Sequence, residues 1–576
     1  MQQVALSQSR RPFRKEIIMN REQASDNSRL VSETQVLVVG AGPTGLIVCH
    51  ELLRRGIRCR LIEKHTAPSA STRAFTLHAR TMEMFDHLGL APRIDELREV
   101  CPGNRFHFRE LSLSPEESPT LDFEKLPGTR YNYYGKVNQN DLDRALRDSL
   151  AANFDFHPEY GIEYIHGELR DESVHATLRH TTEGGRIEEV QVPWLIGADG
   201  SRSAVRSTLG ATFDQGQVKS MTMSMVDARL AGYRGDRNWV NYYVSAKGFM
   251  LVTGLPGGKF RIYLAGELEK LLEKGTPEEA FQEGLDFFDT GAHIEAMDWS
   301  STWEIRKIVG ETYARGHVLL CGDATHVHSP AGGQGMNACM QDAFNVGWKL
   351  ALLIQGRARE GILETYAEER RPIAEQVTEG ADRMHQILFN ASIPVAERFR
   401  LTQNPSWHGE AIMRISGLSH NYRGVDGVTA GVELEETDPL PGDRAPDCVL
   451  SELPPRRRLY DLTRHPGFTL LYLCDDLSRA RDSYPELAAS LRGEHGHLVR
   501  SILVVPAWLE GIDPDSLQVD AGSRLRMTYG GEATQLILIR PDLYIGFRGS
   551  DLAIPELHSY LRKWVVPATR NCPAGC

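Results

Sequence analysis

The sequence predicts an α/β fold in which a parallel, doubly wound sheet is interrupted by an inserted antiparallel sheet. Three stretches carry that expectation. Residues 34–64, TQVLVVGAGPTGLIVCHELLRRGIRCRLIEK, read as a strand, a glycine turn, a helix and a second strand. Residues 318–353, VLLCGDATHVHSPAGGQGMNACMQDAFNVGWKLALL, read as a short buried strand, a glycine-rich loop and a long helix. Between them, from about Met221 to Leu264, MTMSMVDARL and WVNYYVSAKGFMLVTGLPGGKFRIYL alternate apolar and polar residues, as strands of an antiparallel sheet do.

The first stretch has a Rossmann-like order. Gly40 makes the tight turn, Gly42 lets the backbone approach a pyrophosphate, and Gly45 lets the helix pack on the sheet. Pro43 and Thr44 complete the turn. Glu63, 18 residues after Gly45, ends the second strand, where an acid accepts hydrogen bonds from an adenosine ribose, and Lys64 follows it. An acid at that place disfavours a ribose phosphate, so the expected nucleotide is FAD or NAD rather than NADP.

The glycine-rich loop holds Pro330, Gly332, Gly333 and Gly335 and is followed by a helix from about Met336. Glycines let a backbone pass close to a flat ligand, and a helix start offers unpaired N–H groups and a partial positive charge. His326 and His328 stand at i, i+2 without a third ligand, so no metal is expected.

The chain has 576 residues, 41% hydrophobic and 25% charged, which leaves room for two or three domains. A formal net charge of -12 argues against nucleic acid and anionic membrane surfaces as partners. No apolar run approaches the ~20 residues that span a bilayer. Nine scattered cysteines without a metal-type CxxC pair read as reduced thiols of a cytoplasmic protein. Residues 1–33 are polar, carry five arginines and lack the apolar core of a signal peptide, so a disordered extension is expected there.

GAGPTG with Glu63, then WLIGADGSRSAVR at Trp194 to Arg206, then CGDATHVHSPAGGQGMN resemble, in order and spacing, the fingerprints of the class A FAD-dependent aromatic hydroxylases. These are flavoprotein monooxygenases related to para-hydroxybenzoate and phenol hydroxylase. The resemblance runs from about Thr34 to Arg371. It continues more weakly from Pro441 to Trp564, where PGDRAPD and IRPDLYIGFR look like the thioredoxin-like carboxy-terminal domain of the phenol hydroxylase branch. It implies an FAD-binding domain over residues 34–205 and 306–440, an inserted substrate domain over 206–305, and a thioredoxin-like domain over 441–576. That last domain lacks a CxxC and is therefore expected to scaffold rather than to transfer electrons.

The resemblance also implies roles. Arg73 and Gln139 match residues that touch the cofactor, Asp199 one that lies against it, and Arg206 one that receives the nicotinamide nucleotide. Asp323 matches the aspartate on the ribityl chain and Pro330 the proline beside the isoalloxazine ring. The backbone of Gly333, Gly335, Met336 and Asn337 would face the flavin's pyrimidine edge. Two plainer readings compete: Asp199-Gly200 is locally as good a helix-capping turn, and strand aromatics such as Tyr242, Tyr243 and Phe249 are more often core. His78, His107 and Tyr243 are candidates for the base that deprotonates a substrate.

The implied activity is hydroxylation of a phenolic or polycyclic aromatic compound through a flavin hydroperoxide, with FAD, dioxygen and NADPH or NADH. No second dinucleotide turn is present, consistent with transient binding of the nicotinamide. A homodimer is compatible with this reading. Two alternatives remain at this level: a Baeyer–Villiger or ring-modifying monooxygenase, and a flavin-binding protein without turnover. The intact GGQGMN loop weighs against the second.

Overall fold

The computed structural model describes residues 34–69, 74–111, 113–114, 116–211, 213, 221–273, 275–330, 332–390, 392–425, 439–451, 457–530 and 534–567. The expected amino-terminal extension and Arg73 lie outside these residues. The fold is mixed α/β.

A six-stranded sheet runs in the order Ala314–Arg315, Val318–Leu320, Trp194–Gly197, Val36–Val39, Cys59–Glu63 and Glu159–Tyr160. All neighbours are parallel except the first pair. Register does the functional work here. Val39 is level with Gly197 and with Ile62, and Gly197 is level with Leu320, so the three glycine-bearing loops leave the same edge of the sheet side by side. Ligands of open α/β sheets bind at that carboxyl edge.

The Gly40 turn is dictated by steric space. Gly40 has a φ of +103°, and a Cβ there would lie 2.4 Å from the Ala198 carbonyl oxygen. A Cβ on Gly45 would lie 2.0 Å from the Gly40 oxygen and 3.3 Å from Leu61, because the helix Pro43–Leu53 presses on the turn and on the neighbouring strand. Gly42, by contrast, faces open space.

The antiparallel sheet has seven strands, in the order His293–Ile305, Met221–Ala231, Phe260–Gly266, Gly248–Gly254, Val240–Ser245, Gly103–Phe108 and Thr120–Asp122. Two of its strands therefore come from well before residue 206, and the join at Gly103–Phe108 is parallel. One face meets the parallel-sheet body; the other is closed by the helix Pro277–Phe287 through Phe281 and Leu285. The alternating segment 162–192 forms the expected three-stranded antiparallel excursion. Pro372 lies inside the helix Glu364–Phe389. The last module has a five-stranded sheet in the order Leu517–Val519, Val499–Val505, Phe468–Cys474, Thr534–Ile539 and Ile545–Gly549. Its first three strands are parallel and its last two antiparallel. Among the described residues no helix is long and apolar enough to cross a membrane.

Two predictions follow from this packing. Gly45→Ala should cost about 3 kcal/mol or more through overpacking, whereas Gly42→Ala should leave the melting temperature nearly unchanged; thermal unfolding of both variants checks the contrast. Burial also lowers His50, His78 and His465 to about 4 and His420 to about 3. These imidazoles are neutral when folded and bind protons when unfolded, so stability should be intact above pH 6.5 and fall as the pH drops toward 4. Each contributes a loss on the order of 3 kcal/mol at the acid end, readable by urea unfolding across that range.

Candidate active site

At the carboxyl edge of the parallel sheet lies a cavity of about 420 Å³. The first motif gives it Gly42, Pro43 and Thr44; the second gives Ala198 and Gly200; the third gives Asp323, Pro330, Gly333, Gly335 and Met336. Gln139, the first residue of the helix Gln139–Phe154, closes one wall and accepts the Ala74 N–H at 3.2 Å. Asp323 is exposed into this space, and the Cys339 thiol donates to its Oδ1 at 3.2 Å.

The loop 332–335 is fixed by donors from three segments. His78 Nε2 lies 3.0 Å from the Gly332 oxygen and 3.1 Å from that of Gly333. The Tyr134 hydroxyl donates to Gly332 at 3.0 Å, while Thr76 Oγ1 and Asn337 Nδ2 each donate to Gly333 at 2.9 Å. Asn337 also bridges the Thr76 carbonyl and the His78 N–H, both at 2.9 Å. Gly333, at φ +65°, admits no side chain, since a Cβ would meet Thr76 Oγ1 at 2.3 Å. With its carbonyls held, the loop delivers the start of the helix Gly335–Ile354 to the cavity, where first-turn N–H groups lack intrahelical partners.

A second, narrower space of about 30 Å³ shares Phe75, Thr76, Tyr263, Pro330 and Gly333 with the first. Its remaining wall is Tyr134, Met223, Tyr242, Phe249, Leu251 and Leu388. Thr76 and Tyr134 spend their hydroxyls on the loop, and the Tyr242 hydroxyl is also turned to Gly332. Tyr263 differs. Burial pushes its phenol above the ordinary range, opposed by the adjacent Arg261 guanidinium. Arg261 is fully buried and paired through Nε and Nη2 with both oxygens of Asp227, each at 2.7 Å, and Trp299 Nε1 donates to Asp227 at 3.0 Å.

Several sequence expectations place differently. Asp199 is half-buried and its Oδ2 accepts the Ala204 and Val205 N–H groups at 2.7 and 3.2 Å, so its side chain caps the helix Ala204–Thr208 while its neighbours line the cavity. Arg206 donates to Ala324 O at 3.0 Å and Ser201 O at 2.8 Å, tying the second motif to the third instead of facing the cavity. His78 is held at about 4 by burial, so it is a neutral donor beneath the loop and not a base. Tyr243 lies on the opposite sheet face from Tyr242, hydrogen-bonded to Tyr233 at 3.0 Å and stacked on His107 at 4.6 Å; neither it nor His107 reaches the cavities. Glu63 accepts the Ala41 N–H at 3.0 Å at the end of its strand, and Lys64 is exposed beside it. His326 donates to Asp342 at 2.7 Å. Thr76, Tyr134, Arg261 and Tyr263 were not singled out by sequence; for the last two, the shared parity of Arg261 and Tyr263 in FRIYLAG is the signal that places them on one face.

The cavity's chemistry fits a flavin dinucleotide: a glycine with open space beside a helix start, a carboxylate free to accept hydroxyls, and a second helix start beyond a flat-walled loop. Residues 33–381 match the family model described as FAD binding domain, and residues 438–568 match aromatic-ring hydroxylase, C-terminal. The chain is 36% identical to pentachlorophenol 4-monooxygenase of Sphingobium chlorophenolicum, over 92% of this chain and 97% of that protein. It is 31% identical to 6-methylpretetramide 4-monooxygenase of Streptomyces rimosus, over 89% and 90%. It shares its fold with aklavinone-11 hydroxylase, solved with FAD and aklavinone, at a TM-score of 0.71 and 22% identity, over 92% of this chain and 98% of that one. Three convergent motifs, a cavity at the sheet's carboxyl edge and an aromatic slot against it are thus found in a chain that belongs to the class A FAD-dependent aromatic hydroxylases, with FAD as its cofactor.

Proposed function

We propose that the protein uses NADH or NADPH and dioxygen to hydroxylate a compact, acidic phenol, such as a halogen-bearing one, that arrives as its phenolate. The observation that carries this is the narrow slot sharing Pro330, Gly333 and Tyr263 with the flavin cavity. Bound FAD supplies the electron transfer and oxygen activation. Gly42 and the helix start at Pro43 would hold its pyrophosphate, Asp323 would accept its ribityl hydroxyls, and the first turn at Gly335 and Met336 would hold its ring system.

The slot's chemistry selects the substrate. Its described lining is aromatic, aliphatic and thioether apart from Thr76, with no carboxylate and no imidazole to remove a proton. A phenol of low intrinsic pKa needs no such base. Its anionic oxygen still needs a donor, and Tyr263 provides one, polarised by Arg261 and held in place through Asp227. The apolar walls exclude water from the reacting ring. The relation to pentachlorophenol 4-monooxygenase supports the compact phenol.

The strand order of the last module supports a thioredoxin-like domain beginning near residue 441, while Gly103–Phe108 and Thr120–Asp122 add to the substrate-domain sheet expected over 206–305. Seven free cysteines among the described residues support a reducing, cytoplasmic setting.

NAD(P)H oxidation by the yellow holoenzyme should rise at least tenfold with chlorinated phenols, and hydroxylated product should form; larger stimulation by fused-ring phenols would overturn the compact-substrate reading. The pH dependence of kcat/KM should track the pKa of each phenol used, with activity present above it and lost below it. Tyr263→Phe should lower kcat/KM on the order of tenfold, about 1.4 kcal/mol, with FAD content unchanged, and steady-state kinetics at matched flavin concentration reads this.

A further inference from the structure

The segment IRPDLYIGFR, Ile539 to Arg548, takes no part in the chemistry above, yet its turn is among the most buried polar features of the molecule. Arg540 and Asp542 are 4% and 1% exposed. The turn joins the strands Thr534–Ile539 and Ile545–Gly549 of the last module and enters the body behind the flavin loop. Arg540 Nη1 and Nη2 meet the two oxygens of Glu369 at 2.7 and 2.8 Å, and its Nε and Nη2 also hold Asp542 at 3.0 and 2.6 Å. Glu369 further accepts Lys349 Nζ at 2.7 Å and Asn345 Nδ2 at 2.6 Å, and Asp542 accepts Asn345 Nδ2 at 3.1 Å. Asn345 and Lys349 belong to the helix Gly335–Ile354, whose first turn lines the flavin cavity.

The network continues toward the cofactor. Asn345 and Arg370 both donate to the Tyr422 hydroxyl at 3.3 Å, and Arg370 Nε meets Asp342 at 2.7 Å. Asp342 in turn accepts His326 Nε2 at 2.7 Å and the Gly322 N–H at 3.3 Å, which bracket Asp323 on the cavity wall. On the other side of the turn, the Asp542 carbonyl accepts Arg80 Nη2 at 2.5 Å, from the helix that follows Thr76 and His78. Leu543, fully buried, adopts φ +64°, a conformation that L residues keep only where their surroundings fix it.

We propose that the Arg540–Asp542 turn is a positioning element for FAD: the carboxy-terminal module holds the helix Gly335–Ile354 and the loop around Asp323 at the places where they meet the flavin. Charges buried this deeply are poor sources of net stability but specify one arrangement of the elements they join. This rests on the flavin site and not on the identity of the substrate, and it is tested without substrate.

FAD dissociation constants would be measured by flavin fluorescence on reconstituted apoprotein for the native chain, Arg540→Met, Arg540→Lys and Asp542→Asn. The control is Ile502→Ala, in a core cluster made only of residues from 445 onward. Arg540→Met should weaken FAD at least tenfold and shift the visible absorption of the bound flavin. Arg540→Lys, which keeps the charge but loses the fork, should recover part of that loss. Ile502→Ala should stay within twofold of the native value while lowering the melting temperature. If Arg540→Met does not fold, the near-isosteric Asp542→Asn carries the same expectation. Native FAD affinity and spectrum in the Arg540 and Asp542 variants, or an equal loss in Ile502→Ala, overturns the proposal.

Discussion

The site depends on how the two carbonyls of Gly332 and Gly333 are held. Left to itself, a glycine-rich loop has too many backbone conformations to present a wall to a flat ligand, and ordering each residue costs roughly 1–2 kcal/mol. Here Thr76, His78, Tyr134 and Asn337 place their donors on those two oxygens. The constraint is mutual, because Gly333 cannot carry a Cβ against Thr76, and the two carbonyls fix the His78 proton on Nε2 while burial keeps the ring neutral. Once the carbonyls point at these groups, Pro330 and the helix start are fixed toward the cavity, and Pro330 and Gly333 line both cavities.

The parallel sheet supplies the second condition, which is convergence. Residues 40, 198 and 322 are remote in sequence but adjacent in register, so a single sheet edge gathers the pyrophosphate turn, the second motif and Asp323. The inserted sheet then lays Tyr263 across the junction of the two cavities, with its polarity set from behind by Arg261 and Asp227. A buried guanidinium without its carboxylate would carry a heavy desolvation penalty. Paired, it keeps its charge beside the Tyr263 phenol at the wall of an apolar slot.

Much of this was legible from the residues, and the parts that were not share a physical reason. Gly42, Asp323, Pro330 and Gly335 reach the cavity wall, and Gly40 and Gly45 shape the turn beside it, through a local order that sequence records directly. Asp199 and Arg206 have two good local uses, and only the positions of Ala204, Ser201 and Ala324 show that capping and loop tying win. Tyr242 and Tyr243 are chemically equal in sequence; the pleat turns one into the slot and the other toward Tyr233 and His107. His78 lies beside the site, yet burial and two carbonyls make it a clamp. Thr76 and Tyr134 carry no signal of their own, since their roles exist only after the loop has folded onto them.

The most direct test of the account is turnover under ¹⁸O-labelled dioxygen with a chlorinated phenol and NADPH or NADH, with mass spectrometry of the product. The account predicts one labelled oxygen atom in each hydroxylated product molecule and one NAD(P)H consumed per product. Unlabelled product, or consumption of NAD(P)H that ends entirely in hydrogen peroxide with every phenol tried, would contradict it.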